Sequence, residues 1–233
     1  MSDKNSEKKS SVEQTNESVL LSHSSIIIEK IVEFISKVKD SEISLLRNPD
    51  VIRWIFGDLS FLPSIEKSKN KSKDRKKKKA LEDTWGRKVL KIRRPDLKLD
   101  KQWTNKFGEY ICQEIFILLG KAVSKPVKMK NYEPDLEIDD AIVEIKTQTY
   151  YTDGTAGEKI LGCPFKYAPI PNLYAKPLNI VCVGGAEKIC REQYGNLPGK
   201  NVECFEKKEF LEFYLKKNIK YVGACDLLIS LVN

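Results

Sequence analysis

Asp135 and Glu144-Ile145-Lys146 are the residues of this chain whose types and spacing could carry chemistry. Leu136 to Ile138 and Ala141 to Ile145 are apolar-rich runs on either side of Asp139-Asp140, and the pattern predicts a β-hairpin with a two-residue turn. Closed there, the hairpin sets Asp135 opposite Glu144 and Glu133 opposite Lys146. Side chains alternate along a strand, so Asp135, Glu144 and Lys146 share one face. Leu136, Ile138, Val143 and Ile145 share the other face, towards a core. Like charges directly opposed destabilise a strand pair, and a bound cation would relieve Asp135 against Glu144. Carboxylate oxygens suit Mg2+. Beside a phosphodiester, Mg2+ can stabilise charge on the attacking and leaving oxygens. The pattern points to hydrolysis of nucleic acid.

The element upstream must carry any further acid. Phe107, Ile111, Ile115 and Leu118 make one apolar face of a helix predicted over Trp103–Leu119. Glu109 falls off that stripe, free to be aimed at the hairpin.

Asp135 after Pro134, together with Glu144-Ile145-Lys146, resembles the Pro-Asp…(Asp/Glu)-x-Lys signature of the PD-(D/E)xK nuclease superfamily. Gly108-Glu109 resembles the helical acid that many members carry. The run Thr147 to Gly162 is similar to the segment after the catalytic lysine in a group of type II restriction endonucleases. The resemblance covers roughly Trp85 to the C-terminus and leaves Met1 to Lys79 without a counterpart. It implies a restriction-endonuclease-like fold, Mg2+ as cofactor and double-stranded DNA as substrate. Asp135, Glu144 and the carbonyl of Ile145 would hold the metal. Glu109 would orient the attacking water or help hold a second metal. Lys146 would position that water or neutralise the developing phosphorane. Palindromic sites mirror two-fold symmetry, so the resemblance also implies a homodimer.

Thr147 to Tyr167 is expected to face DNA. Gln148, Thr149, Thr155, Lys159 and Lys166 can reach phosphates and base edges, and Gly154 and Gly157 permit close backbone approach. An ordinary Gly-rich surface loop is the other reading. Gly154 to Lys159 lacks the Gly-Lys-Ser/Thr ending of a nucleotide-binding loop, so no nucleotide cofactor is expected.

Charge is concentrated. The chain has 233 residues and a formal net charge of +8. Lys67 to Lys79 holds nine Lys/Arg against Asp74, and the other 32 bases and 32 acids cancel. Three readings of this run stay open: a solvated linker, a nonspecific DNA contact, or a nuclear-import signal. The six cysteines form no Cys-x-x-Cys pair and His23 is the only histidine, which argues against structural zinc and against His-dependent nucleophilic catalysis. Free buried thiols, a polar N-terminus and no apolar run of membrane-span length together suggest an intracellular, membrane-free protein, cytoplasmic or nuclear.

The expected organisation is a disordered N-terminus (1–18), a helical N-terminal element (19–65), a basic linker (66–80) and a nuclease domain (81–233). Within these, Ser25–Lys39 and Glu206–Lys217 are predicted helices, and a short helix ends at Tyr194. Leu178–Val183, Tyr221-Val222 and Leu227–Val232 are predicted strands. The order predicts an α/β (α+β) fold, a mixed β-sheet core with helices outside. Two alternatives to a site-specific endonuclease stay open: a structure-specific repair or recombination nuclease, and a non-catalytic DNA-binding protein.

Overall fold

Ile28, Ile31 and Ile35 recur at helical spacing and form the buried stripe of α1 (25–37). Asn48 caps α2 (Pro49–Ile55) by accepting from the Asp50 N–H, and Pro49 takes the position where a missing N–H costs nothing. Asn70 caps α3 (Lys71–Arg93), and the apolar stripe predicted around Phe107 gives α4 (Trp103–Leu118). The computed structural model describes residues 25–98, 102–152, 156–199 and 205–233. The disorder expected over 1–18, together with His23 and Thr155, lies outside them.

Five strands form one sheet in sequence order: β1 (Val123–Ser124), β2 (Leu136–Ile138), β3 (Ala141–Gln148), β4 (Leu178–Gly184) and β5 (Ile219–Gly223). β1, β2 and β3 are antiparallel neighbours, whereas β3–β4 and β4–β5 are parallel. Parallel neighbours need long crossovers. The first carries α5 (Ala156–Leu161), α6 (Cys163–Lys166) and α7 (Ile170–Tyr174). The second carries α8 (Gly185–Ile189), a π-helical turn (Cys190–Tyr194) and α9 (Phe205–Lys216), and α10 (Ala224–Ile229) follows β5. The fold is mixed α/β, a mixed sheet flanked by helices, as the element order predicts. Among the described residues, no helix is long and apolar enough to cross a membrane.

The hairpin has the predicted register, with Leu136 opposite Val143 and Ile138 opposite Ala141. Leu136, Ile138, Val143 and Ile145 join the main core beneath α1 to α4. The opposite face is not wet. Ile142, Leu178 and Ile180 on it are covered by Cys163, Tyr167 and Ile170 from the first crossover.

Two expectations are corrected. Leu227–Val232 is not a strand: Ala224 and Leu228 are buried one helical turn apart in α10, with Gly223 at the N-cap and Asp226 in the first turn. A short apolar run does not distinguish the two structures by itself. The basic run is not a linker from Lys71 onward, because Asn70 accepts from the Lys73 N–H and starts a helix there. Lysine and arginine are good helix formers, and Arg75 donates to the Thr152 carbonyl at 2.7 Å while Lys78 lies over the Tyr151 ring.

The N-terminal helices share the core of the strands. Trp54 is fully buried and meets Trp85, Trp103, Phe107 and Tyr150. Buried Glu114 on α4 accepts from the N–H groups of Leu45 and Leu46, each at 2.8 Å.

Gly108 sets how closely α4 approaches β3. A Cβ there would lie 1.7 Å from Thr147 Oγ1. Gly108→Ala should therefore destabilise the fold by about 1–3 kcal/mol through overpacking, and adding Thr147→Ala should recover part of the loss. Urea unfolding of both single variants and the double variant checks this, and strictly additive losses would contradict it.

Candidate active site

β2 ends while β3 runs on to Gln148, so the β2-facing edge of β3 needs a new partner beyond Val143. Asp135 supplies it. Its N–H donates to the Val143 carbonyl at 3.1 Å, and its Oδ2 accepts from the Ile145 N–H at 2.7 Å. N–H and C=O of one strand residue leave on the same edge, so the Ile145 carbonyl opens beside the Asp135 carboxylate. Lys146 Nζ lies 3.4 Å from that carbonyl.

Glu144 follows on the same face and is 5% exposed. Its Oε1 accepts from Lys146 Nζ at 2.5 Å. Its Oε2 is buried with no hydrogen-bond partner, an arrangement that normally costs free energy. The two carboxylates, the Ile145 carbonyl and Lys146 thus meet where β2 stops.

Burial first, then the charge of Glu144, pushes the Asp135 carboxyl up to about 6, against the Ile145 N–H and Lys146, which favour the anion. Glu109 on α4 is near enough to add to the rise. It is also held by Lys106 in an ion pair of 2.7 Å, so it stands at the edge of the cluster rather than inside it. For Lys146, burial is the largest influence and disfavours the ammonium, but the charge and hydrogen bond of Glu144, with Cys163 and Asp135, together outweigh it and the pKa rises. The ammonium form is the resident one.

Tyr167 belongs to the site although no sequence motif marks it. Burial, then Glu144, raises its phenol, and the ring lies 6.0 Å from Lys146 Nζ and 4.6 Å from Lys166 Nζ. Lys166 donates to the Tyr167 hydroxyl at 3.1 Å. Cys163, Tyr167 and Ile170, spaced by four and three, carried the signal for a covering helical face. Cys163 is itself buried, and its thiol is pushed up to about 12, so it is inert packing.

A cleft of about 460 Å3 starts at Ile145 and Lys146 and follows the end of β3. Gln148, Thr149 and Lys159 line it. Lys166 does not, being exposed on α6 against Tyr167. Thr147 and Gln148 belong to β3, and α5 and α6 occupy much of the chain from Ala156 to Lys166, so Thr147 to Tyr167 is not one loop.

Among the described residues, no three His, Cys, Asp or Glu side chains converge into a metal-binding group. The cluster instead offers two carboxylates and one backbone carbonyl, all oxygen donors, with one carboxylate oxygen lacking a partner. That set fits a hard cation that keeps part of its water shell, as Mg2+ does. Compared with protein-family models, curated proteins and solved structures, the chain gives no match. The functional reading rests on the geometry of the cluster.

The sign of the Asp135 shift is testable. A carboxyl raised in the fold prefers its proton there, so without metal its contribution is most favourable below the unfolded pKa of about 4. That contribution fades as pH rises to about 6. Asp135→Asn should flatten this fall and stabilise the metal-free protein at pH 7.5 by at most about 3 kcal/mol. Urea unfolding across pH 4 to 8 without divalent ions gives the answer, and parallel curves for the two proteins would contradict it.

Proposed function

We propose that the protein is a Mg2+-dependent endonuclease of the PD-(D/E)xK type, cutting double-stranded DNA at a short specific sequence in the manner of a type II restriction enzyme. The observation that carries this reading is the pairing of Asp135, raised to about 6, with Glu144, whose Oε2 is buried and unpartnered, beside Lys146. A structural ion pair would not leave both defects in one place. Mg2+ held there by Asp135, Glu144 and the Ile145 carbonyl would withdraw charge from the phosphodiester oxygens.

The side chains have separate tasks. Asp135 must be deprotonated to serve as a ligand, so activity should fall as pH drops through about 6. The Ile145 N–H fixes the orientation of Asp135. Lys146 brings a compact positive charge to the reacting phosphate and can hold the attacking water by hydrogen bonds. Tyr167 walls Glu144 and Lys146 from solvent on the α6 side, which keeps their charges effective. Glu109 and Lys106 stand at the rim, where they can order water. A homodimer on a palindromic site completes the reading, and free, largely buried thiols suit an intracellular setting.

Digestion of unmethylated phage DNA tests the proposal. Discrete fragments should appear with Mg2+ and disappear with EDTA. Glu144→Ala and Lys146→Ala should each cut at least about 100-fold more slowly while still binding DNA. A smear, or cutting only of branched substrates, would replace site specificity by structure specificity. Unchanged cutting by both variants would end the assignment.

Metal should also stabilise the fold. At an ion concentration of a hundred times Kd the gain is about 2.7 kcal/mol. The melting temperature should therefore rise with Mg2+ or Ca2+ in the wild type and not in Glu144→Ala. Equal response of the two proteins would remove Glu144 from the ligand set.

A further inference from the structure

The cleft beside the cluster has a wall that the proposed chemistry does not use. Lys79 and Arg87 line it from α3, and Asn105 from the first turn of α4. Lys159 lines it from α5, and Gln148 and Thr149 from the end of β3. With Lys146 the lining holds four cations against one acid, Asp83. Asp83 and Lys79 pair at 2.6 Å, and Trp103 Nε1 donates to Asp83 at 2.9 Å, so the lining keeps a net excess of positive charge from the other cations.

Two further features face the same space. α4 begins there with no side-chain cap, so the positive end of its dipole is open to the cleft. Gln148 is 8% exposed, and its amide oxygen is buried without a partner. Rotating that amide would present its NH2 donors instead. A buried, unpartnered amide in a cationic cleft at a helix N-terminus fits a ligand with anionic oxygens.

The lining also offers no platform for a stacked base. Stacking needs an exposed ring. Trp103, the aromatic residue of the wall, is 2% exposed, and its N–H is taken. Hydroxyls, amides and cations remain, the groups that make most contacts to sugar and phosphate.

We infer that this cleft is a phosphate subsite, holding the sugar–phosphate backbone next to the phosphodiester at Asp135 and Glu144. Lys159 and Gln148 hold it from one wall, and the start of α4 with Lys79 and Arg87 holds it from the other. The inference rests on the nuclease reading for which strand enters the cleft. It does not rest on that reading for the cleft's preference for phosphate.

Anisotropy of a labelled random-sequence duplex, with Ca2+ in place of Mg2+, tests it across a salt series. Lys159 is exposed, so Lys159→Ala should keep the wild-type melting temperature. It should bind about tenfold more weakly, with a log K against log salt slope shallower by about 0.9. Gln148→Ala should weaken binding by about fivefold and leave the slope alone, since it removes no charge. If Gln148→Ala does not fold, Lys159→Ala decides alone. Unchanged affinity and slope in Lys159→Ala would overturn the subsite, even if the wild type cuts DNA. Weakened binding by a protein that never cuts would keep the subsite and remove the nuclease reading.

Discussion

The unequal lengths of β2 and β3 are the constraint on which the site depends. A sheet edge must be partnered, and where β2 runs out, the carboxylate of Asp135 takes over as acceptor for the Ile145 N–H. That one hydrogen bond places the acid and fixes which carbonyl faces it. It also obliges Glu144, next along β3, to share the space. The covering helices then remove water, and the conflict between the acids becomes expensive enough to matter.

Other buried acids of this protein show what a structural carboxylate looks like by contrast. Glu82 accepts from the Trp54 indole and from the Tyr150 N–H, fastening α3 to α2 and to the chain leaving β3. Glu114 holds the segment before α2 through two backbone N–H groups. Glu187 takes Arg191 and the Cys225 N–H. Each of these carboxylates has neutral or cationic donors around it. Asp135 and Glu144 have donors too, the Ile145 N–H and Lys146, but they also face one another, and one Glu144 oxygen goes without. Glu144 is as buried as these three and Asp135 is half-buried, so the missing partner marks the pair.

The hairpin was legible because two periodicities agreed: alternation along both strands, and a turn sequence that allowed one register. α4 and β4 were legible for the same kind of reason, a strong pattern of adequate length. Leu227–Val232 failed because an apolar run that short fits a strand or a helix, and only burial of Ala224 and Leu228 decides. The basic run failed because charge was read as flexibility, when an Asn cap and tertiary contacts at Arg75 and Lys78 make it a helix. Glu82 and Glu114 left no local trace, since their partners lie far off in the chain. Tyr167 left only a spacing with Cys163 and Ile170 that was not read from the sequence, and its place over Glu144 comes from the crossover between parallel strands, which no local pattern encodes.

Sheet order also governs how such a protein can come together. β2 and β3 are joined by two residues, whereas β4 must return to β3 across the whole α5–α7 crossover and β5 to β4 across a longer one. Closing a short loop costs less entropy than closing a long one, and non-local pairing is slow. The hairpin is thus the pairing most accessible to a chain still searching, and it is the one that brings Asp135 against Glu144. A protonated Asp135 or a captured cation would ease that first encounter, so the solution in which the chain folds bears on its rate as well as on its final stability.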